Sequence, residues 1–200
     1  DGIRDIGVTG VQTCALPIYG QYQAENAAVA IAAVEQFMGS GQNALPHELL
    51  RTALADVSSP GRLQVISKKP TVLLDAAHNP HGARSLANAL TNSFDAPDAI
   101  GVISILGDKD AKAILESLEP VLREIVLTQS SSTRATETDV LFEKAVAVFG
   151  EDRVSTASDL ATALAMAKSK VSADGMVVIS GSITLVGDAL KLKQQEEANG

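Results

Sequence analysis

From Thr71 onward, compact apolar runs alternate with stretches whose apolar residues recur every three or four positions. TVLLD, AIGVISIL, REIVLT and MVVIS are short and mostly β-branched, which predicts strands at 71–75, 99–106, 123–128 and 176–180. Helical stripes follow the first three. Ala83, Leu86, Ala87 and Leu90 form one, and Ala111, Ile114, Leu115 and Leu118 the next. Leu141, Ala145 and Val148 form a third, with Leu160, Ala163, Leu164 and Ala167 after a short DRVST segment. Strands that are apolar on both faces, alternating with one-sided helices, belong to a mostly parallel sheet covered on both sides. The expected fold class is α/β, three-layered over residues 71–190, with TVLLD and AIGVISIL as adjacent parallel strands.

Upstream, QYQAENAAVAIAAVEQFM carries Ala24, Ala27, Ala28, Ile31, Val34 and Met38 at helical spacing, and GSGQ stops it. Pro46 suits the start of a second helix, whose apolar face is Leu49, Leu50, Ala53 and Leu54. SSPG at 58–61 reads as a turn and a domain boundary, before extended RLQVI and a second turn at Lys68–Pro70. Residues 1–19 hold no period, and RDIGVTGVQTCALPI resembles translated sequencing-adapter read-through, so Cys14 is given no role. The resulting division is 1–19 as a non-native segment, 20–57 as helices of one unit, and 58–70 as linker and initial extended segment. The α/β domain follows over 71–190, and 191–200 is a polar tail expected to fray.

Composition narrows the function classes. With a net charge of -8, the 200-residue chain is a poor partner for nucleic acid or an anionic membrane surface. Its 46% hydrophobic content supports a core, but aromatics are only 3%, so Ala, Leu and Val must fill it. A single cysteine excludes an internal disulfide and a multi-cysteine metal site, and cytoplasm is the expected compartment. Three histidines without a nearby carboxylate or thiolate cluster define no metal centre. No apolar run is long enough to span a membrane.

The chemistry-bearing stretch is DAAHNPHGA, directly after TVLL. Ligands of open α/β domains gather beyond the carboxyl ends of the strands. Asp75 there can accept from a diol, His78 can donate to a phosphate, and Asn79 can bond to either or cap the next helix. Spacing alone equally allows Asp75 and Asn79 to satisfy loop backbone while His78 sits at the surface. Lys109 in GDKD could neutralise a carboxylate, and Asp108 or Asp110 could orient an amine or cap a helix. GSITLVGD could offer backbone N–H groups to a carboxylate, with Ser182 adding a hydroxyl.

DAAHNPHGARSLANAL resembles the DGAHNP-containing strand–loop–helix of folylpolyglutamate synthases and dihydrofolate synthases, members of the Mur ligase superfamily. SPGRLQV resembles the family's PGR segment, QYQAENAAVAIAAVE the end of its central ATPase domain, ILGDKD its DKD loop, and VVISGSITLVGDAL its GSLYLVG-like ending. These landmarks run in order over roughly residues 20–190. The resemblance implies a Rossmann-like C-terminal ligase domain preceded by a remnant of the central domain, in an ATP-dependent enzyme that adds L-glutamate to folate or dihydropteroate through an acyl phosphate. By motif, Asn26 would recognise adenine, Arg62 would contact the ATP phosphates, Asp75 the ribose, and His78 the nucleotide from across the cleft. Lys109, Asp110 and Ser182 would face the amino-acid substrate.

GVTGVQTC lacks the Lys–Ser/Thr pair of a phosphate loop, so no catalytic set is complete here and no metal ligand is assigned; Mg2+ belongs to the parent enzyme. The fragment alone is expected to be inactive and its parent monomeric and cytoplasmic. Two alternatives stay open: a fragment of a cell-wall peptide Mur ligase, and a non-catalytic α/β binding domain.

Overall fold

The computed structural model describes residues 21–39, 44–94, 96 and 98–199. The segment 1–19 with Cys14, and the GSGQ stop beyond Gly39, lie outside them. Two helices come first, α1 (Gln21–Gly39) and α2 (His47–Ala55). A hairpin follows, β1 (Gln64–Lys68) and β2 (Thr71–Leu74). The chain then alternates through α3 (Pro80–Ala89), β3 (Ala99–Ile103), α4 (Ala111–Leu118), β4 (Glu124–Leu127), α5 (Thr138–Phe149) and β5 (Val154–Thr156). It ends with α6 (Leu160–Lys170), β6 (Met176–Ser180) and α7 (Ile183–Asn199).

One sheet holds all six strands of the described residues in the order β1-β2-β6-β3-β4-β5. β1 is antiparallel to β2, and every other pairing is parallel. The α/β class and the mostly parallel sheet therefore hold, but TVLLD and AIGVISIL are not neighbours. β6 lies between them, with Val177 in register with Val72 on one side and Ile100 on the other. The physical reason is burial. MVVIS is buried at all five positions, and only an interior place gives such a strand backbone partners on both edges as well as cover on both faces.

The two faces follow from strand alternation. Leu73, Ile103, Leu127 and Val178 point to the side covered by α3, α4 and α5. Val72, Leu74, Val102, Val126, Val177 and Ile179 point to the side covered by α6 and α7. All four residues of the Ala111, Ile114, Leu115 and Leu118 stripe are buried, each leucine among them stabilising the fold by about 1.5–3 kcal/mol. In α5, Phe149 is buried with Leu141 and Ala145, while Val148 is only half-buried.

One expectation holds and one changes at the ends. The α1 stripe forms the expected helix, and Ala24, Ala28, Val34 and Met38 of that stripe are exposed. The tail from 191 does not fray at once: α7 continues to Asn199, with a Lys193–Glu197 pair one turn apart at 3.4 Å. Among the described residues, no helix is long and apolar enough to cross a membrane.

Candidate functional site

Parallel pairing brings the carboxyl ends of β2, β6, β3 and β4 to one edge. The loops after them carry Asp75–Asn79, Ser182, Lys109–Asp110 and Ser130–Arg134 in that spatial order. The intervening position of β6 places the Ser182 loop between the Asp75 and Lys109 loops. Every buried polar side chain identified among the described residues gathers at these strand ends: Asp75, Ser104, Thr128, Ser130, Ser180 and Ser182. The Ser104 hydroxyl accepts the Ser130 amide, while the hydroxyls of Thr128, Ser130 and Ser180 have no protein partner. Apart from Asp75 and Ser182, this band is invisible to motif reading. Its signal is a hydroxyl residue at the end of three of the apolar runs, Ser104, Thr128 and Ser180.

The linker is stitched to this edge. Ala76 N donates to Gly61 O at 2.7 Å, and Leu63 N donates to Asp75 Oδ2 at 3.0 Å. Gly61 has φ of 71°, and a Cβ there would lie 2.6 Å from Val186 Cγ1, so both conformation and space call for glycine. Arg62, held between these bonds, exposes its side chain and makes no ion pair among the described residues. It borders a groove of about 460 Å3 that also includes Ser59, Gln64, Ser67 and Lys68.

Of the two roles the sequence left open for Asp75, its bonds match the one that satisfies loop backbone. Its side chain is 2% exposed, and both oxygens face inward. Oδ1 accepts from Ala77 N at 2.9 Å, and Oδ2 accepts from Leu63 N and from the Tyr22 hydroxyl at 3.3 Å. Burial raises its pKa above the ordinary carboxylate value, while the two backbone donors, Arg62 and Tyr22 pull the other way. In this arrangement the carboxylate organises backbone instead of offering open acceptors to a diol.

His78 is half-buried, with Nδ1 at 2.9 Å from Ala76 O. A carbonyl only accepts, so Nδ1 is the donor in this bond and Nε2 is left as the outer ring nitrogen. Donation from Nε2 to a phosphate would require the imidazolium. Asn79 caps α3, its Oδ1 accepting from Gly82 N at 2.8 Å, and Pro80 takes the first helical position.

Lys109 pairs with Asp108 at 2.9 Å, and Arg134 approaches Asp108 from the next loop at 3.7 Å. Asp110 caps α4 through Ala113 N at 3.1 Å. Ser182 is fully buried, and its Oγ accepts from Thr184 N at 3.1 Å. Asn26 is exposed on α1, where its amide meets Gln23 at 3.4 Å. It lies one turn beyond Tyr22, so the two share a helix face. The structure thus joins Arg62, Asp75 and His78 through one backbone network and sets Lys109, Asp110 and Ser182 on neighbouring loops. Tyr22 was missed by motif reading.

No group of three or more His, Cys, Asp or Glu side chains that could hold a metal ion occurs among the described residues.

The family model for the Mur ligase, glutamate ligase domain matches residues 61–183. The chain is 42% identical over 191 residues to the dihydrofolate synthase/folylpolyglutamate synthase of Mycobacterium tuberculosis, which covers 88% of this chain and 39% of that protein. A solved folylpolyglutamate synthase from that organism, complexed with ADP, superposes with a TM-score of 0.85 at 42% identity over 89% of this chain and 41% of the other. The bifunctional folylpolyglutamate synthase/dihydrofolate synthase of Yersinia pestis, complexed with AMPPNP and Mn ion, gives a TM-score of 0.73 at 28% identity over 92% of this chain and 42% of that one. The chain thus spans about two fifths of the length of these relatives. It belongs to the Mur ligase family, carrying the glutamate ligase domain in its folylpolyglutamate synthase/dihydrofolate synthase form.

Proposed function

We propose that residues 71–190 are the C-terminal ligase domain of an ATP-dependent folylpolyglutamate synthase/dihydrofolate synthase, joined through the linker 58–70 to helices 20–57 of its central domain. The observation that carries this reading is the network joining Gly61–Leu63 to Asp75–Ala77, which fixes the backbone of Arg62, without an ion pair among the described residues, beside the carboxyl edge of a Mur ligase-type sheet. The apolar surface of the first two helices supports the division, for Val29, Phe37, Met38 and Leu49 are all exposed, Phe37 by 92%.

In the proposed reaction a folate-linked carboxylate oxygen attacks the γ-phosphorus of ATP, and ADP leaves. The acyl phosphate is then attacked at its carbonyl carbon by the amine of L-glutamate, giving the amide, inorganic phosphate and a released proton. Arg62 offers the planar donor fork that suits phosphate oxygens. His78 would join it as a donor only when protonated, and Asn26 would face adenine from the same helix side as Tyr22. Asp75 acts by holding Leu63 in place, and a direct ribose contact would require its inward bonds to rearrange. Lys109 is the cation for a glutamate carboxylate once freed from Asp108, with Asp110 and Ser182 shaping the adjacent loops. Magnesium would neutralise phosphate charge when bound with ATP. No residue of this chain is assigned to that ion.

The test uses the full-length polypeptide with ATP, magnesium, L-glutamate and either dihydropteroate or a reduced folate. Glutamylated product is expected, and Arg62→Ala should lower kcat/KM for ATP about tenfold or more. This chain alone should form no product above a no-enzyme control. Product from the fragment, or ligation of a cell-wall peptide precursor in place of a pterin substrate, would overturn the assignment.

A further inference from the structure

Three separate parts of the chain converge on the Asp75 carboxylate. Its own loop supplies Ala77 N, the linker supplies Leu63 N, and α1 supplies the Tyr22 hydroxyl. The Tyr22 bond reaches 53 residues along the chain, from the first helix to the sheet edge. Its ring packs against the core cluster on the α3–α5 side of the sheet, so the hydroxyl is directed by a body that is already anchored. Burial first, then the adjacent Asp75 charge, keeps the phenol protonated well above the usual tyrosine range, and it therefore serves as a donor.

What Asp75 holds is an unusual piece of backbone. Leu63 has φ of 45° and is wholly buried. A branched side chain enters this left-handed region only where its surroundings enforce it. The Leu63 N–H bond to Asp75 is one such enforcement, and the Gly61 carbonyl bond to Ala76 N fixes the other side of Arg62. Arg62 N itself donates to Ser59 O at 3.0 Å. The exposed guanidinium is thus carried on a root whose direction is set from both sides.

We propose that Tyr22 is a positioning residue: through Asp75 it fixes the left-handed Leu63 and thereby aims Arg62, coupling α1 to the cationic side chain at the ligand edge. This rests on the reading that Arg62 meets the ATP phosphates. Removing only the phenolic oxygen leaves the packed ring in place, so the consequence should fall on Arg62-dependent steps and not on the whole fold.

The experiment is a double-mutant cycle in the full-length polypeptide, with Tyr22→Phe, Arg62→Ala and the double variant, reading kcat, KM for ATP, KM for glutamate and Tm. Tyr22→Phe should lower kcat/KM for ATP about three- to tenfold, the worth of one hydrogen bond, with KM for glutamate and Tm nearly unchanged. In the Arg62→Ala background the same change should have almost no effect. If Arg62→Ala leaves ATP kinetics intact, the nucleotide reading fails. If Arg62→Ala impairs them while Tyr22→Phe is silent, or acts equally in both backgrounds, that reading stands and the positioning role is overturned. A uniform loss for both substrates with a lowered Tm would also overturn it in favour of a purely structural bond. Amide exchange in this chain alone gives a readout independent of catalysis. Exchange at Leu63 should accelerate about tenfold in Tyr22→Phe, and an unchanged rate would mean that Tyr22 does not hold that amide.

Discussion

Asp75 and Leu63 are bound side chain to backbone across twelve residues, with the Leu63 N–H donating to Oδ2 at 3.0 Å. The bond crosses the β1–β2 hairpin and fastens its start to the loop that leaves its end. This makes Asp75 a stability determinant before any ligand is considered. Asp75→Ala removes the acceptor for Leu63 N and Ala77 N, both in buried residues. Each orphaned donor should cost about 1–3 kcal/mol, read as a lower urea midpoint for this chain with no nucleotide present. An unchanged midpoint would show that the two amides find other partners.

Gly61→Ala tests how closely the linker must approach α7. The added methyl meets Val186 Cγ1 at 2.6 Å and must also accept φ of 71°. Overpacking and backbone strain should together destabilise by about 1–3 kcal/mol. Val186→Ala in the same chain relieves the collision but not the strain. The double variant should therefore recover part of the loss relative to Val186→Ala alone. Complete recovery would locate the whole cost in the side-chain contact.

What was legible in the sequence was local. The Ala111, Ile114, Leu115 and Leu118 stripe announces α4 because helical period and burial coincide there. Asn79 and Asp110 were readable as caps for the same reason, each lying just before its helix. Strand order was not local. β6 enters last in sequence yet sits centrally, and nothing within TVLLD or AIGVISIL shows that a later strand divides them. The α1 stripe gave the helix but not its surroundings, because apolar spacing does not say what covers a face, and Met38 is exposed. The edge that would carry Arg62, Asp75 and His78 followed from motif order. The loop-binding role of Asp75 was open in the sequence, but its partners Leu63 and Tyr22 were not, since they lie 12 and 53 residues away.

Arg153 offers a test far from that edge. It precedes β5 and satisfies four acceptors: Arg123 O, Leu122 O, Glu119 O and the Glu119 carboxylate. Its guanidinium also lies 5.0 Å from the centre of the Phe149 ring. Lysine keeps the charge but has one nitrogen and no planar fork. Arg153→Lys should cost about 1–3 kcal/mol through the carbonyls left without donors, lowering Tm while leaving ATP kinetics of the full-length polypeptide unchanged. A loss of activity without a loss of Tm would contradict a purely structural assignment.

The acid limb of stability should report Asp98, at the amino end of β3. Its carboxylate accepts from Ser172 N at 3.0 Å and pairs with Arg123 at 3.0 Å, thereby joining β3 to β4 and to the turn before β6. The Ser172 bond foremost, joined by the Arg123 bond and charge, outweighs the burial penalty and lowers its pKa below the ordinary 3.8. A depressed carboxylate pKa means that the unfolded chain binds the proton more readily than the native one. Its contribution is therefore fully present above the unfolded value and is lost as pH falls through the lower native value. Asp75 has the opposite sign: its raised pKa makes its titration favour the folded state below the unfolded value, an advantage lost as pH rises through the native one. Asp98→Asn deletes one of these titrations and leaves the other. Because the pair is partly exposed, the variant should be less stable than wild type by no more than about 1 kcal/mol at neutral pH. The gap should narrow as pH is lowered from about 5 toward 2, because wild-type Asp98 then becomes protonated as well. Urea midpoints of both proteins across that range measure it, and a gap that stays constant or widens in acid would rule out a depressed Asp98.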